Sequence, residues 1–135
     1  MNPVFIDTNL PMYAAGREHP HRLPAIAYLR RVAEGDVAAA TDAEVFQEIL
    51  HRYKAIDRLA DGLAIYESFR TLVPVVFPVT IDAVDDARSL LRATPSLSSR
   101  GALHVAVMRR AGIQQIVSFD GGFDGVKGIR RLTPR

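Results

Sequence analysis

The segment PVFID, residues 3–7, decides the fold class because it is a short, continuously apolar run that ends in an aspartate. Buried strands of parallel sheets have this character, since helices cover both of their faces. Further short runs of strand type follow at residues 36–41, 74–79, 114–120 and 128–134. Longer helical patterns separate most of them, and strands joined by helices form right-handed crossovers in a mainly parallel sheet. The sequence therefore predicts an α/β fold.

The helices are predicted from apolar periodicity and from residues that favour helix ends. They cover residues 23–35, 41–56, 59–72 and 80–93, and a last segment from Ser98 or Ser99 to near Gly112. Gly35 suits the position just beyond the first helix. Thr41 and Glu44 match a capping box, T-x-x-E, and Thr80 is a suitable cap for the fourth helix. The prolines of residues 74–79 place that strand at a sheet edge or a strand end.

Length and composition restrict the class to which the protein can belong. The chain has 135 residues and a mass of 14.9 kDa, which predicts a single domain over residues 1–135. It contains no cysteine, which excludes disulfides and thiolate metal sites and fits a reducing compartment. The N-terminal segment lacks the basic region of a secretory signal, and no apolar run approaches the roughly 20 residues that cross a bilayer. We therefore predict a cytoplasmic protein with no membrane partner.

The charge is unevenly distributed, although the net charge is only +2. Residues 100–135 carry seven of the 17 basic residues and only two of the 15 acidic ones. This basic end is compatible with a polyanionic partner and also with a solvated basic face. Candidate phosphate ligands are Arg100, Arg109, Arg110, Lys127, Arg130 and Arg131. His19 and His21 lie in a polar stretch around Pro20 and have no recognisable ligand spacing.

Acidic side chains follow two of the predicted strands. Asp7 ends the first strand, Asp120 ends the strand at residues 114–120, and Asp124 lies four residues further on. Ligands of parallel sheets bind outside the carboxyl ends of the strands, so Asp7 and Asp120 are expected at the same edge. The alternative is structural: Asp7 would cap the next helix, and Asp120 would start a Gly-Gly turn.

A third acid is expected from the helix predicted over residues 41–56. Its apolar stripe consists of Val45, Phe46, Ile49, Leu50 and Tyr53. Glu48 borders this stripe and faces the sheet edge more readily than Glu44, which lies nearly opposite on the solvent side. Three converging carboxylates suit a hard divalent cation such as Mg²⁺ or Mn²⁺. The alternative is that both glutamates are ordinary surface acids.

Four segments, in order, resemble the sequence blocks of PIN domains, and most closely those of the VapC-type toxins of bacterial toxin–antitoxin pairs. They are FIDTNL, VFQEILHRY, LSSRGALHVAVMRRAG and IVSFDGGFD. The resemblance covers essentially the whole chain. It implies a three-layer α/β/α sandwich with a mainly parallel central sheet of four to five strands. It also implies a metal-dependent endoribonuclease that cuts single-stranded RNA or a tRNA loop and leaves a 5′-phosphate and a 3′-hydroxyl.

The resemblance assigns roles to individual residues. Asp7 matches the first acid of the family, Glu48 the second and Asp120 the fourth, so these three are the expected catalytic residues and ligands of Mg²⁺ or Mn²⁺. Asp124 matches an additional metal-binding acid of some members. The supporting polar residues are Thr8, Asn9 and Ser118, of which the first two orient the first acid or a water on the metal. The implied partners are RNA, an antitoxin from an adjacent gene and a second copy of the chain.

The third block departs from the family pattern, which resembles S-x-x-D-A-x-H-x-A. Here Gly101 stands where the third acid belongs, while Ser98, Ala102, His104 and Ala106 match. Glycine in the first turn is expected to cost the helix about 1 kcal/mol and to remove one metal ligand. A natural replacement and an engineered inactivation would leave the same sequence.

Two functions therefore stay open. The first is a Mg²⁺- or Mn²⁺-dependent toxin ribonuclease whose activity is impaired at Gly101. The second is a weak or inactive PIN-like module that binds RNA or an antitoxin. Arg100 and His104 are candidate substrate contacts, although a buried structural role is also expected of His104. A phosphotransfer protein is disfavoured, because the chain has neither a G-x-x-x-x-G-K-[ST] loop nor a G-x-G-x-x-G turn.

Overall fold

The computed structural model describes residues 2–135, which form a five-stranded, fully parallel sheet with helices around it. The strands are β1 (Val4–Ile6), β2 (Ala39–Asp42), β3 (Val76–Phe77), β4 (Gln115–Val117) and β5 (Arg130–Leu132). The helices are α1 (Asn9–Ala15), α2 (Arg22–Ala33), α3 (Ala43–Ala55), α4 (Leu59–Leu72), α5 (Ile81–Ala93) and α6 (Ser99–Ala111), with a short 3₁₀ helix at Gly121–Phe123. The predicted three-layer α/β/α sandwich with a parallel sheet is confirmed.

The strand order, β3-β2-β1-β4-β5, puts the first strand in the centre of the sheet. Val4 pairs with Ala39 on one side, and Phe5 pairs with Ile116 on the other. From β1 the chain builds outward to β2 and β3, and it later returns to build β4 and β5 on the opposite side. The sheet therefore has a topological switch between β1 and β4, where a crevice opens at the carboxyl ends of the strands.

The core follows the predicted patterns closely. Phe5 and Ile6 of β1 are fully buried, as expected of a strand that is covered on both faces. On α3 the predicted stripe faces inward, with Leu50 half-buried and its other four members buried. Thr80 accepts the Ala83 N–H at 3.2 Å and caps α5 as predicted. Among residues 2–135, no helix combines the length and the apolarity that crossing a bilayer requires.

The predicted capping box at Thr41 and Glu44 is wrong. Thr41 belongs to β2, where its N–H donates to the Val75 carbonyl at 3.0 Å and its hydroxyl donates to the Ile6 carbonyl at 3.0 Å. The chain stays extended for one residue more, and Asp42 caps α3 by accepting the Val45 N–H at 3.1 Å. Pairing within the sheet therefore determines where α3 begins.

The fourth strand is shorter than predicted. It ends at Val117, so Asp120 lies three residues beyond its end and not on it. Asp120 accepts the Gly122 N–H at 2.8 Å and caps the short 3₁₀ helix. The glycine-rich segment after β4 is therefore a regular turn of helix. β3 lies at the sheet edge, as its flanking prolines predicted.

Candidate active site

An open cleft of about 600 Å³ lies at the carboxyl ends of β1 and β4, at the switch point of the sheet. Its lining includes the three expected acids, one from each of three parts of the chain, together with the glycine of α6. The lining residues that bear on the chemistry are Asp7, Asn9, Glu48, Arg100, Gly101, His104 and Asp120. The fold therefore brings to one cavity residues that are far apart in sequence.

Asp7 directly follows β1 and is the most firmly positioned acid of the cleft. It is 8% exposed. Its Oδ1 accepts the Thr8 N–H at 2.8 Å, while its Oδ2 accepts the Ser118 hydroxyl at 2.6 Å and the Asn9 amide at 3.4 Å. The Asn9 amide also donates to Ser118 Oγ at 3.1 Å. The three predicted supporting residues therefore all donate to Asp7, Thr8 through its backbone N–H and Asn9 and Ser118 through their side chains.

Glu48 enters the cleft from α3 and is half-buried. Its Oε1 lies 3.2 Å from Arg100 Nε, and the same nitrogen lies 3.9 Å from Glu44 Oε1. Glu44 is half-buried beside the same guanidinium, less exposed than predicted, and unlike Glu48 it does not line the cleft. Burial raises the pKa of Glu48 above its ordinary value, as does the negative charge of Asp7, although the positive charges of His104 and Arg100 act to lower it.

The acids of the last segment are separated by the structure. Asp120 lies at the rim of the cleft and is exposed, with one carboxylate oxygen engaged by the Gly122 N–H. Asp124 does not line the cleft. Its two oxygens accept from Arg131 at 2.8 Å and 3.0 Å, and these hydrogen bonds lower the pKa of Asp124. Asp124 therefore joins a surface ion pair, and we do not include it in the metal site proposed below.

His104 lies beneath the acids rather than on the surface of the cleft, with 1% exposure. Its Nδ1 donates to Asp42 Oδ2 at 2.8 Å, and its Nε2 lies 3.7 Å from Asp7 Oδ1. Burial acts to lower the pKa of His104, but the hydrogen bond and charge of Asp42, with the charges of Asp7 and Glu48, raise it to about 9. At neutral pH this pKa favours the imidazolium form of His104, whose positive charge stabilises the carboxylates of Asp42 and Asp7. Because the ring is buried, this role fits His104 better than contact with substrate.

Asp42 was missed in the sequence because Thr41 occupied the predicted capping position. It is fully buried, and it both caps α3 and fixes the His104 ring. A usable signal was present: Asp42 ends β2 as Asp7 follows β1, so both belong to the carboxyl edge of the same parallel sheet.

The charge of His104 predicts a pH dependence of stability. Because its pKa rises from 6.5 to about 9 on folding, its contribution is complete below pH 6.5 and is lost as the pH rises through about 9. The linked loss in the free energy of unfolding is on the order of 3 kcal/mol. Urea denaturation of the metal-free protein across this range measures it, and H104Q should lack this decline. A free energy of unfolding that stays constant over the range in the unmutated chain would contradict the assignment.

Gly101 forms part of the cleft wall. It is buried in the first turn of α6, and its N–H donates to the capping Ser98 Oγ at 3.0 Å. A Cβ atom added here would lie 3.1 Å from Ser98 Oγ and 3.4 Å from Phe123 Cζ. The first contact is tight, but its partner is a small hydroxyl. An aspartate can therefore be accommodated with a slight shift of Ser98.

The residues of the cleft fit a hard divalent cation that also keeps water ligands. Among residues 2–135, no three His, Asp or Glu side chains are grouped closely enough to form a complete ligand set. Three buried polar atoms around the acids nevertheless have no hydrogen-bond partner within that range: Thr8 Oγ1, Asn9 Oδ1 and His104 Nε2. Mg²⁺ typically binds through one or two carboxylates and several waters. Waters on such an ion would satisfy the two unpaired oxygen atoms.

Comparisons with known proteins identify the family to which this fold and sequence belong. The family described as "PIN domain" matches residues 4–129. Ribonuclease VapC13 of Mycobacterium tuberculosis is 42% identical over 130 residues, which cover 96% of this chain and 99% of that protein. Ribonuclease VapC23 of the same species is 37% identical over 117 residues, covering 87% and 92% of the two chains.

Solved structures show the same fold. The crystal structure of VapC20 of Mycobacterium tuberculosis has a TM-score of 0.73 and 26% identity, and the match covers 94% of this chain and 98% of that one. VapBC of Salmonella typhimurium, bound to DNA, has a TM-score of 0.72 and 14% identity, with 98% of both chains covered. The chain therefore belongs to the PIN domain family and, within it, to the VapC group.

Proposed function

We propose that this protein is the toxin ribonuclease of a toxin–antitoxin pair, which hydrolyses phosphodiester bonds of RNA with the help of Mg²⁺ or Mn²⁺. The observation that carries the proposal is the convergence of Asp7, Glu48 and Asp120 on one open cleft at the switch point of the sheet. The names of the relatives support it, because VapC13 and VapC23 are described as ribonucleases and VapC20 as a toxin that cleaves the sarcin–ricin loop.

Asp7, Glu48 and Asp120 would hold the cation, directly or through water. When bound, the ion supplies positive charge that lowers the pKa of water and stabilises a phosphate under attack. Residues of the chain position the carboxylates and accept the proton. Ser118 and the Thr8 N–H donate to the two oxygens of the Asp7 carboxylate and hold it at the cleft. The Glu48 carboxylate lines the same cleft and is half-buried, which places it to accept a proton from the attacking water.

The products follow from the direction of attack. Water adds to phosphorus, and the bond from phosphorus to the 3′ oxygen breaks. That oxygen takes a proton from solvent water and leaves as a 3′-hydroxyl, while the other fragment keeps a 5′-phosphate. Arg100 stands at the mouth of the cleft with its side chain 49% exposed. Its guanidinium is suited to contact a phosphate once it leaves Glu48, because guanidinium groups bind phosphate through paired hydrogen bonds.

An antitoxin and a second copy of the chain are the proposed protein partners. The structural relatives include a toxin–antitoxin complex from Klebsiella pneumoniae and VapBC-5 from Mycobacterium tuberculosis. An apolar groove of about 350 Å³ between α1, α2 and α4 suits an apolar antitoxin segment; its lining includes Pro11, Ala14, Leu29, Ile65 and Leu72. The exposed apolar side chains of Ile81, Val84 and Leu91 along α5 support a homodimer.

The second candidate function is an RNA- or antitoxin-binding module with little cleavage. Gly101 favours it, because this part of the cleft wall carries no carboxylate where the family pattern has one. With one ligand fewer, the cation is expected to bind more weakly and its water to be less well positioned.

Restoring the acid separates the two functions. We expect G101D to bind Mn²⁺ about 10- to 100-fold more tightly than the unmutated chain and to cleave RNA faster by a similar factor. The measurements are calorimetric titration with Mn²⁺ and cleavage of a panel of structured RNAs with Mg²⁺ or Mn²⁺. G101N is the matched control, because it has nearly the same shape and no charge.

Each outcome has a consequence for the proposal. Equal gains in G101D and G101N would show that the side-chain volume matters and the ligand does not. If the unmutated chain and G101D are equally inactive with both ions, this protein is not a ribonuclease. If only G101D cleaves, the chain is a disabled nuclease, and the binding-module function applies. An absence of metal-dependent heat in both the unmutated chain and D7A would refute the metal site.

A further inference from the structure

A second groove, of about 470 Å³, adjoins the acidic cleft. The two cavities share Asn9, Glu48 and Arg100 in their linings. From this shared wall the second groove runs past the end of α1 and along α3. A chain that occupies the acidic cleft can therefore continue into the second groove without leaving the surface.

The second groove is rich in positive charge. Its lining includes four arginines, Arg17, Arg52, Arg58 and Arg100, against the single acid Glu48. Arg58 is paired with Asp61. Within residues 2–135, Arg17 and Arg52 make no ion pair, and both are exposed. These two guanidinium groups are therefore available to an anionic ligand.

The groove also carries a preassembled aromatic wall. Tyr13 and His19 line it, with ring centroids 4.6 Å apart and planes tilted by 31°. Behind them, His21 stacks on Phe119 at 4.0 Å with an angle of 12°, and both of these rings meet Tyr13 edge to face. His19 Nδ1 accepts the His21 N–H at 3.0 Å, which fixes the imidazole orientation. The rings are thus held in place before any ligand binds, which lowers the entropic cost of binding.

We propose that the second groove is a nucleotide subsite for an unpaired residue of the RNA, adjacent to the phosphate that is cut. A base packs against the rings of Tyr13 and His19, and the flanking phosphates contact Arg17 and Arg52. The proposal rests on the proposed ribonuclease function and adds the residues that hold a nucleotide next to the phosphate that is cut. In a duplex the neighbouring bases cover both faces of each base, so a stacking wall selects nucleotides that are splayed out of a helix.

The combination of features favours RNA over an acidic peptide. Sequence-tolerant binding of single strands uses aromatic side chains for the bases and a cationic groove for the backbone. This groove offers both within one cavity and opens onto the carboxylates that would hold the cation. The carboxylates of an acidic peptide would pair with the arginines, but they offer no flat ring to stack on Tyr13 and His19.

Binding is measured with fluorescence anisotropy in EDTA, so that affinity is separated from cleavage. The probes are a labelled, unstructured single-stranded RNA and the duplex of the same sequence. We expect Y13L to weaken single-strand binding about 10-fold or more and to leave duplex binding unchanged. Y13F keeps the ring and should retain affinity. H19A tests the wall at an exposed position where folding is not at risk, and H51A is its control, because His51 is exposed and lies outside the groove.

The arginines of the groove are expected to contribute to the salt dependence of RNA binding. R52Q should weaken binding and reduce the slope of log affinity against log salt by about 0.7 for each single-strand phosphate that the variant no longer neutralises. R92Q, on the exposed end of α5, should change neither. Y13L should weaken binding without changing the slope, because stacking releases no counterions.

Several results would overturn the subsite. The subsite is refuted if Y13L and H19A bind single-stranded RNA as tightly as the unmutated chain does. It is also refuted if these variants lose equal affinity for the single strand and for the duplex. Loss of antitoxin binding with unchanged RNA binding would assign the groove to the protein partner. The two proposals fail separately: cleavage that persists with unchanged RNA affinity in Y13L refutes the subsite alone. A chain that binds single strands through these residues but never cleaves them refutes the ribonuclease alone.

Discussion

Replacing Asp7 by asparagine is expected to reduce metal-dependent cleavage of RNA on the order of 100-fold. Asn has nearly the shape of Asp, so the site should keep its form while it loses one charge and one carboxylate oxygen. The loss is large because Asp7 is the acid most firmly positioned by other residues, with hydrogen bonds from Thr8, Asn9 and Ser118. Single-turnover cleavage at saturating Mn²⁺ measures the effect.

The matched control is D86N. Asp86 pairs with Arg110 on the surface and does not line the cleft. We expect this variant to cleave RNA within about twofold of the unmutated chain, since exposed ion pairs contribute little to stability. Cleavage by D7N at the unmutated rate, with an unchanged melting temperature, would show that the chemistry does not take place at these acids.

Removing the buried imidazolium is expected to have the largest effect on stability. We expect H104A to lower the free energy of unfolding by about 3 to 5 kcal/mol. The reason is that Asp42 is fully buried and would lose the side chain that donates to it at 2.8 Å, while Asp7 would lose a positive charge 3.7 Å away. Urea denaturation of the metal-free protein near neutral pH measures the loss.

A second variant keeps this prediction measurable if H104A does not fold. H104Q retains an amide donor for Asp42, so its loss in the free energy of unfolding should be smaller. In the double variant D42N/H104Q the buried carboxylate is neutralised as well, and the two losses should not be additive because the residues are in contact. Losses in H104A below about 1 kcal/mol would fall in the range of exposed ion pairs and would contradict the buried charge network.

The arrangement of elements was predictable because its signals are local. The uniformly apolar run of β1 predicts a strand covered on both faces, and the stripe on α3 predicts which side of the helix faces the sheet. α4 has the bounds predicted from the sequence. Asp7 and Glu48 also follow from local pattern, because the end of a parallel strand and the border of an apolar stripe both lead to the same sheet edge.

The remaining features depend on residues that meet only in the folded chain. Thr41 is a suitable cap by itself, but its backbone joins the sheet beside Val75, which moves the start of α3 to Asp42. Asp124 has the expected spacing for a metal ligand, but Arg131 binds both of its oxygens. In each case the residue type suits the role that the local pattern indicates, but a contact with a residue distant in the sequence gives it another one.

By itself, the sequence determined the order of the five strands and of every long helix except α1 (Asn9–Ala15), which was not predicted. It also indicated the acids that reach the carboxyl edge and the glycine in place of the third acid. Periodicity, capping residues and strand-end acids carry this information within a few positions of chain. Only the tertiary structure decided that β1 lies at the centre and that His104 joins Asp42, 62 residues away, to Asp7. Burial is the physical reason, because a charge removed from water must find an opposite charge, and packing alone determines which one lies within reach.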